Sequence, residues 1–283
     1  MVASGLVTAD FVHRETSLAG LRVSRTETGS GPPLLLVHGF VVNHHEWDPI
    51  LPLLAPHFRC IAVDLPGFGG SDRPRNGAFD YSWTSYAAVL AELLAALGLE
   101  RAHVCGHSMG GGIAAALAAN YPSVVDRLVL IDSASYPFAL PLKARLPFLP
   151  GIGPILFKRL YGRSMFRDYF RNDVFNGGVS MNLARVDAYY DDFDSPEGRD
   201  AAYRALTCTV AKVDQLPPLF PKINAKTLVV WGERDRIFPV RLGERLSKEI
   251  PSARLEVIPH SGHAPNEEYP QRTADLIRAH LTG

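Results

Sequence analysis

The stretch Val104–Gly111 reads VCGHSMGG, and it decides how the rest of the chain can be interpreted. An apolar run ends at Gly106, Ser108 follows after one residue, and small residues continue to Ala119. The pattern matches G-x-S-x-G, in which a serine occupies a strained turn between a buried strand and a helix. Such a turn pushes the serine hydroxyl into solvent at the end of a sheet. It also leaves the N–H of Met109 free at a helix N-terminus, where negative charge is favoured.

The composition is that of an ordinary globular protein. The chain has 283 residues, of which 47% are hydrophobic and 20% charged, and this length suits one large domain or one domain with an insertion. Basic and acidic residues number 29 each, so no net charge favours nucleic acid or an anionic membrane. No apolar run approaches the length of a membrane span, and the first ten residues lack a signal-peptide pattern. We therefore expect neither a nucleic-acid partner nor a membrane span.

Cysteine usage favours a reducing compartment. Cys60, Cys105 and Cys208 are odd in number and far apart, which argues against a disulfide framework. Two of them, Cys60 and Cys105, lie in apolar runs, where a small buried thiol is expected. We therefore expect a cytoplasmic protein. The oligomeric state is a separate question, and the sequence is compatible with a homodimer.

Buried strands alternate with helices in the first part of the chain. A helix over residues 82–97 begins at a capping serine and carries one apolar stripe. Alternating buried strands and helices indicate an α/β fold, with a mostly parallel central sheet flanked by helices. The expected strands here are Leu34–Val37, Cys60–Val63, Ala102–Cys105 and Leu128–Ile131, after an antiparallel hairpin within Phe11–Glu27.

The pattern changes between residues 136 and 222, where no buried strand is predicted. Prolines and aromatic-rich helical pieces dominate, and Ser195 caps a helix predicted to run towards Ala211. This segment is interpreted as an inserted helical cap, most of whose aromatic residues form its own core. The sheet-forming core would then comprise residues 1–135 and 223–283. Its second part holds strands at Thr227–Trp231 and Leu255–Ile258 and a closing helix at about Asn266–Leu281.

Three reactive side chains, Ser108, Asp235 and His263, each follow a predicted strand. The carboxyl ends of parallel strands share one edge of the sheet, where ligands bind. An imidazole can take the serine proton, and a carboxylate behind it fixes the imidazole tautomer. The order Ser, Asp, His is the one found in G-x-S-x-G hydrolases. Asp132 also follows a strand and is the alternative to Asp235.

The sequence resembles the α/β-hydrolase fold superfamily across nearly the whole core. The matching pieces are HGF at 38–40, DLPGFGGSD at 64–72, GHSMGG at 106–111, GERD at 232–235 and GHAP at 262–265. The resemblance implies that Ser108 is the nucleophile, His263 the base and then the acid, and Asp235 the orienting acid. It also implies an oxyanion hole formed by the N–H groups of Phe40 and Met109. No cofactor and no metal are expected.

The remaining histidines and acidic residues have structural interpretations. His38 is expected to hold the oxyanion loop, and His107 to pack beside the serine turn. The pair His44-His45 lacks acidic or cysteine partners at metal-ligand spacing, so a helix start beside Trp47 is the better interpretation. The expected loop-shaping residues are Asp64 and Asp72, and His260 is expected at the surface or just outside the reacting groups.

The serine at the turn predicts acyl transfer. Superfamily members that hydrolyse epoxides or haloalkanes use an aspartate there instead. The resulting expectation is a carboxylic ester hydrolase that acts on small to medium, rather apolar substrates. A lactonase, a carbon–carbon bond hydrolase and a cofactor-free perhydrolase with the same three residues stay open, as does a non-catalytic protein that binds a small ligand. Carbon–carbon hydrolases usually carry a Gly-Pro-Gly oxyanion loop, whereas residues 40–43 read FVVN here.

Overall fold

A computed structural model describes residues 11–18, 20–75, 77–137, 145–178 and 181–283. The described residues form an α/β structure with one continuous sheet. Its strands are β1 Val12–Leu18, β2 Leu21–Thr28, β3 Pro33–Val37, β4 Arg59–Val63, β5 Ala102–His107, β6 Val125–Ile131, β7 Lys226–Gly232 and β8 Ala253–Ile258.

The sheet has eight strands in the order β1-β2-β4-β3-β5-β6-β7-β8. The pairs β1–β2 and β2–β4 are antiparallel, and all pairs from β4–β3 onward are parallel. The predicted amino-terminal hairpin is therefore β1–β2. The mostly parallel sheet flanked by helices confirms the predicted fold class.

Ten α-helices are found among the described residues, together with 3₁₀ and π-helical turns. The α-helices are α1 Leu51–Leu54, α2 Trp83–Ala96, α3 Met109–Asn120, α4 Gly153–Ile155, α5 Arg163–Tyr169, α6 Leu183–Phe193, α7 Pro196–Cys208, α8 Arg241–Glu249, α9 Pro265–Glu268 and α10 Pro270–Thr282. The 3₁₀ turns are His44–Trp47, Leu146–Phe148, Val210–Gln215 and Pro217–Lys222, and π-helical turns occur at Leu156–Leu160 and Phe170–Val174.

Two hydrophobic clusters cover the two faces of the sheet. Successive side chains of a strand point to opposite faces, so Leu34 and Leu36 of β3 join one cluster and Leu35 and Val37 join the other. The first cluster includes residues of α1 and α10, and the second includes residues of α2, α3 and α8. Burial of both faces explains why the central strands are continuous apolar runs.

Helix ends follow local chemistry, with two differences from the prediction. Ser82 caps α2 by accepting from Ser85 N, and Ser195 caps α7 by accepting from Gly198 N, as the sequence indicates. However, α7 ends at Cys208 and does not reach Ala211. The closing helix is also divided into α9 and α10 by Pro270, which lacks an N–H and disfavours helical geometry at the residue before it.

The described residues between β6 and β7 form helices, turns and irregular connections, with no strand among them. The aromatic side chains of this segment pack mainly on one another: the ring of Phe166 lies 4.9 Å from that of Phe170, 5.4 Å from Tyr190 and 5.8 Å from Phe193. These aromatic residues pack on one another, but they also belong to the hydrophobic cluster that includes Leu35 and Val37 of β3, so they are not a separate core. Within the described ranges, no helix is both long and apolar enough to cross a bilayer.

Candidate active site

Ser108 lies in a strained turn between β5 and α3. Its backbone adopts φ 53° and ψ −118°, a region that side-chain-bearing residues rarely occupy. A Cβ on Gly106 would come within 2.3 Å of Gly110 O, and one on Gly110 within 2.1 Å of Val37 O. The two glycines of G-x-S-x-G are therefore required by close backbone approach.

The structure brings the three predicted side chains together at the carboxyl edge of the sheet. Ser108 Oγ lies 2.9 Å from His263 Nε2, and His263 Nδ1 lies 2.8 Å from Asp235 Oδ2. Asp235 follows β7, and His263 lies in the loop that follows β8. This contact chain can pass a proton from the serine hydroxyl to an imidazole that a carboxylate orients.

Ser108 is less accessible than the sequence suggests. The turn was expected to place its hydroxyl in solvent, but only 9% of the residue is exposed. The oxyanion loop packs against it, since a Cβ on Gly39 would lie 3.3 Å from Ser108 Cβ. The imidazole of His263, itself 3% exposed, covers another side. Ser108 as a whole residue is therefore largely buried.

Main-chain donors hold Asp235 in line with the imidazole. Its Oδ1 accepts from the N–H groups of Ile237 at 2.7 Å and Phe238 at 2.9 Å, which leaves Oδ2 for His263. The ring of Phe238 packs edge-on against the imidazole at 5.2 Å. The loop after β7 thus fixes both the carboxylate and one face of the ring.

Asp132 stands beside this arrangement without contacting the imidazole directly. It is fully buried after β6, and its Oδ1 accepts from Gly232 N at 2.9 Å. Its Oδ2 has no hydrogen-bond donor among the described residues. Burial and the nearby charge of Asp235 raise the pKa of Asp132 well above its usual range. Geometry therefore favours Asp235 as the partner of His263.

A buried ion pair that the sequence did not reveal connects the oxyanion loop to the serine turn. Glu46 Oε1 lies 2.6 Å from His107 Nδ1, and Glu46 Oε2 accepts from Gly39 N at 3.0 Å. The other ring nitrogen of His107 lies 2.6 Å from the carbonyl oxygen of His263. His107 therefore does pack beside the turn, and it also bonds the loop that carries His263. No pattern around Glu46, in the stretch HHEW, distinguishes it from an exposed acid.

The histidine at the start of the oxyanion loop has the expected structural environment. His38 Nδ1 lies 2.7 Å from Gly39 O, and Leu65 N donates to Nε2 at 3.0 Å. Nδ1 is therefore the protonated nitrogen and Nε2 the acceptor. Complete burial lowers the pKa of His38, which agrees with a neutral ring. The ring joins the oxyanion loop to the loop after β4.

The acidic residues of the 64–72 loop bind main-chain donors. Asp64 accepts from the N–H of His44 at 2.8 Å and from Gly70 N at 2.9 Å, and it also contacts His44 Nδ1 at 2.9 Å. Asp72 accepts from Arg22 N at 2.8 Å. Both residues shape the loop, as expected. His44 and His45 begin a 3₁₀ turn that Asn43 caps.

The helical segment between β6 and β7 bonds directly to the loops around Ser108. His263 N donates to the carbonyl of Val174 at 2.8 Å. Arg185 of α6 forms an ion pair with Glu267 of α9 at 2.7 Å, and both side chains are largely buried. Asp192, also of α6, accepts from Gly69 N at 2.8 Å. The segment is therefore attached both to the loop of the base and to the loop after β4.

The expected oxyanion donors lie where two loops meet. A Cβ on Gly110 would come within 2.4 Å of His38 O, so the ends of β3 and β5 are in close contact beside Ser108. Within the described part of the chain, no hydrogen bond uses the N–H of Phe40 or of Met109. Met109 opens α3, where N–H groups have no partner within the helix.

One group of side chains has the proximity that a metal site requires. The group consists of Asp132, Asp235 and His263. A carboxylate oxygen of each aspartate and a ring nitrogen of the histidine all lie within 4.8 Å of one another. However, His263 Nδ1 and Asp235 Oδ2 are hydrogen-bonded to each other at 2.8 Å. A metal ion bound by both His263 and Asp235 would break that hydrogen bond and remove the contact that orients the imidazole. These side chains therefore fit proton transfer better than metal binding.

The chain belongs to the α/β-hydrolase fold family, whose model matches residues 32–270. A 2-hydroxymuconate semialdehyde hydrolase from Pseudomonas sp. strain CF600 is 31% identical, over 94% of this chain and 92% of that protein. A pimeloyl-acyl-carrier-protein methyl ester esterase from Aeromonas hydrophila is also 31% identical, over 93% of this chain and 100% of that protein. The chain is therefore a hydrolase of this fold.

Solved structures agree on the architecture. The 2-hydroxy-6-oxo-6-phenylhexa-2,4-dienoate hydrolase of Rhodococcus sp. strain RHA1 matches with a TM-score of 0.84, over 98% of this chain and 100% of that chain. At 23% identity, this likeness shows the fold alone.

Proposed function

We propose that the protein is a serine hydrolase that cleaves carboxylic esters of small to medium, rather apolar substrates. The observation that carries the proposal is the contact chain from Ser108 Oγ through His263 to Asp235, with links of 2.9 and 2.8 Å. Ser108 attacks the ester carbonyl while His263 Nε2 takes its proton. The imidazolium then protonates the leaving alcohol, and water hydrolyses the acyl-enzyme by the same route.

The developing oxyanion would be stabilised by the main-chain N–H groups of Phe40 and Met109. These donors are preorganised, because Phe40 lies in a loop that Glu46 holds through Gly39 N and Met109 begins α3. Each such donor contributes a few kcal/mol to transition-state stabilisation in enzymes of this type. No cofactor takes part in this scheme.

Residues 136–222 act as the cap of the site in this proposal, between core parts 1–135 and 223–283. The bonds from Val174 to His263 and from Asp192 to Gly69 support that role, because they attach the segment to loops at the carboxyl edge. The ring of Phe238, which packs on the imidazole of His263 at 5.2 Å, makes the surroundings of the base apolar and supports an apolar acyl or alcohol group. The free cysteines among the described residues support a cytoplasmic location.

Carbon–carbon bond hydrolysis is the second candidate, because a relative named as a semialdehyde hydrolase is as similar as the esterase. An acidic substrate of that kind would need a cation near the serine. Two arginines that join the cap to the sheet-edge loops are already paired, Arg73 with Asp192 and Arg185 with Glu267. This pairing favours a neutral ester.

The test is labelling with a fluorophosphonate together with hydrolysis of p-nitrophenyl esters, a lactone and a dienoic keto acid. S108A should abolish labelling and ester turnover, whereas S247A, which alters an exposed hydroxyl on α8, should change neither. Intact ester hydrolysis by S108A would refute the serine mechanism. Faster turnover of the keto acid than of every ester would select the second candidate.

A further inference from the structure

Two carboxylates lie next to each other at the edge of the sheet. Asp132 follows β6 and Asp235 follows β7, and these strands are parallel neighbours in the sheet. One oxygen of each and a ring nitrogen of His263 lie within 4.8 Å of one another. Both aspartates are buried, with 0% and 8% of each residue exposed. Two adjacent buried carboxylates do not both stay ionised, because their charges repel in a poorly solvated site.

Hydrogen bonding shows which of the two keeps a proton. Asp235 accepts three hydrogen bonds, two from main-chain N–H groups and one from His263. Asp132 accepts only one, from Gly232 N on Oδ1, and its buried Oδ2 meets no donor among the described residues. A buried anionic oxygen without a donor is costly, whereas a protonated oxygen can itself donate. Asp132 is therefore the better site for the proton.

The charged groups that face Asp132 support the same assignment. Asp235 from the β7 side and Glu268 from α9 are both acidic, and both disfavour a second negative charge on Asp132. Burial has the largest effect and acts in the same direction, so the pKa of Asp132 lies well above its usual range. The hydrogen bond from Gly232 N acts in the opposite direction and lowers the pKa.

We propose that Asp132 keeps a proton on Oδ2 and through it donates a hydrogen bond to the carboxylate of Asp235, which makes Asp132 a positioning residue for the orienting acid. This inference rests on the proposed role of Asp235 behind His263. The hydrogen bond from the protonated Oδ2 of Asp132 gives the Asp235 carboxylate a further donor and limits rotation of this carboxylate away from the imidazole. Asp132 has a φ of 39°, and its N–H donates to Val230 O at 3.0 Å, so its backbone is fixed for this contact.

Rescue by an isosteric amide tests the positioning role. D132A removes both the donor to Asp235 and the acceptor for Gly232 N, and we expect kcat to fall about tenfold with little change in KM. D132N restores both contacts, because an amide nitrogen donates and an amide oxygen accepts, so it should recover most of the lost kcat. D235N should lose far more, about a thousandfold or more. If D132N is as impaired as D235N, Asp132 acts as an anion and the proposal is wrong.

Two readouts that need no activity test the proton itself. The wild-type minus D132N infrared difference spectrum at pH 8, above the pKa of about 7 of Glu267, should contain the C=O band of a protonated buried carboxyl. The wild-type minus D275N spectrum, for the same change at an exposed position, should lack this band. The unfolding midpoint of D132N should also rise relative to that of wild type as pH increases from 4 to 8, because only wild type loses stability by retaining a proton that the unfolded chain releases.

These outcomes separate the inference from the proposed function. If D132N leaves the infrared band unchanged, or if the midpoint difference is the same at every pH, Asp132 is ionised and the inference fails, whatever the activity of S108A. If S108A stays active while D132N removes the band, the proton is present and the serine mechanism fails instead.

Discussion

The main-chain N–H of His263 donates to the carbonyl oxygen of Val174 at 2.8 Å. Val174 ends the π-helical turn Phe170–Val174 of the helical segment, so this segment holds the backbone of the proposed base. The imidazole itself is fixed from the core by Asp235 and Phe238. The position of the imidazole therefore depends on two separate parts of the chain.

A glycine at this junction allows the first prediction. A Cβ on Gly262 would lie 2.5 Å from Val174 O, so G262A must push the helical segment away from the His263 loop. We expect kcat for esters to fall by about ten- to a hundredfold, since misplacement of a catalytic group by about 1 Å has that effect. G162A is the matched control, because no atom lies within 4 Å of its added Cβ and φ is −89°. Equal kcat in the two variants would contradict a positioning role for this junction.

The pair Glu46–His107 allows the second prediction. Both ring nitrogens of His107 face acceptors at 2.6 Å, which requires a proton on each. Burial alone lowers the pKa of His107, but the charge of Glu46 and its hydrogen bond raise it overall. E46Q should lower the free energy of unfolding by about 3 kcal/mol, because it leaves a buried cation without its counter-ion.

The control for E46Q is an exposed ion pair. E256Q breaks the contact with Arg254 at 2.7 Å, where both side chains are at least one-third exposed, and should cost less than about 1 kcal/mol. Denaturant unfolding measures both. Ester kcat should also fall in E46Q, because Glu46 holds Gly39 of the oxyanion loop. A loss no larger than that of E256Q would mean that His107 is neutral in the folded protein.

The sequence predicts the sheet well because the relevant signals are local. The apolar runs at Leu34–Val37 and Leu128–Ile131 must be buried on both faces, and both lie within parallel strands. The capping serines Ser82 and Ser195 bond N–H groups three residues away, so their effect is visible in the sequence itself. The break at Pro270 was missed, although the proline that causes it is present in the sequence, because the apolar pattern continues across it.

The site is predictable only where a motif fixes the backbone. Ser108 follows from the glycines that its turn requires, and the order of Asp235 and His263 follows from the fold. Glu46 is 61 residues away from His107, and Asp132 meets Asp235 only because β6 and β7 are neighbours. Such contacts depend on strand order and on the path of long loops, which local patterns do not encode.

The buried thiols allow a third prediction. Cys60 and Cys105 lie in β4 and β5, and burial raises the pKa of both, that of Cys60 to about 12. A thiol reacts as its thiolate, so iodoacetamide at pH 8 should modify Cys208 alone, which is half-buried. Ester hydrolysis should survive the treatment, and C208S should remain unlabelled by mass spectrometry. Modification of Cys105 in the native protein would show that β5 opens on the labelling timescale.

The buried carboxyl of Glu267 gives the fourth prediction, which concerns stability and pH. Burial raises its pKa to about 7, against the opposing effect of Arg185 and with the help of Glu46. Between pH 4.5 and 7 the unfolded chain releases a proton that the folded chain keeps, so the contribution of Glu267 to stability falls as pH rises through this window. The change amounts to roughly 3 kcal/mol, from about 1.4 kcal/mol for each pH unit.

E267Q removes this titration, so its free energy of unfolding should rise relative to wild type by roughly that 3 kcal/mol between pH 4 and pH 8. Urea unfolding at closely spaced pH values measures the difference, and only its change with pH matters, because any pH-independent effect of the amide on packing shifts both ends equally. E244Q provides the matched control, since Glu244 lies on the exposed face of α8, and its difference from wild type should stay flat. If the E267Q difference is also flat, Glu267 is ionised throughout and Arg185 outweighs its burial. The helical segment would then be held to α9 by a full ion pair at every pH in the range.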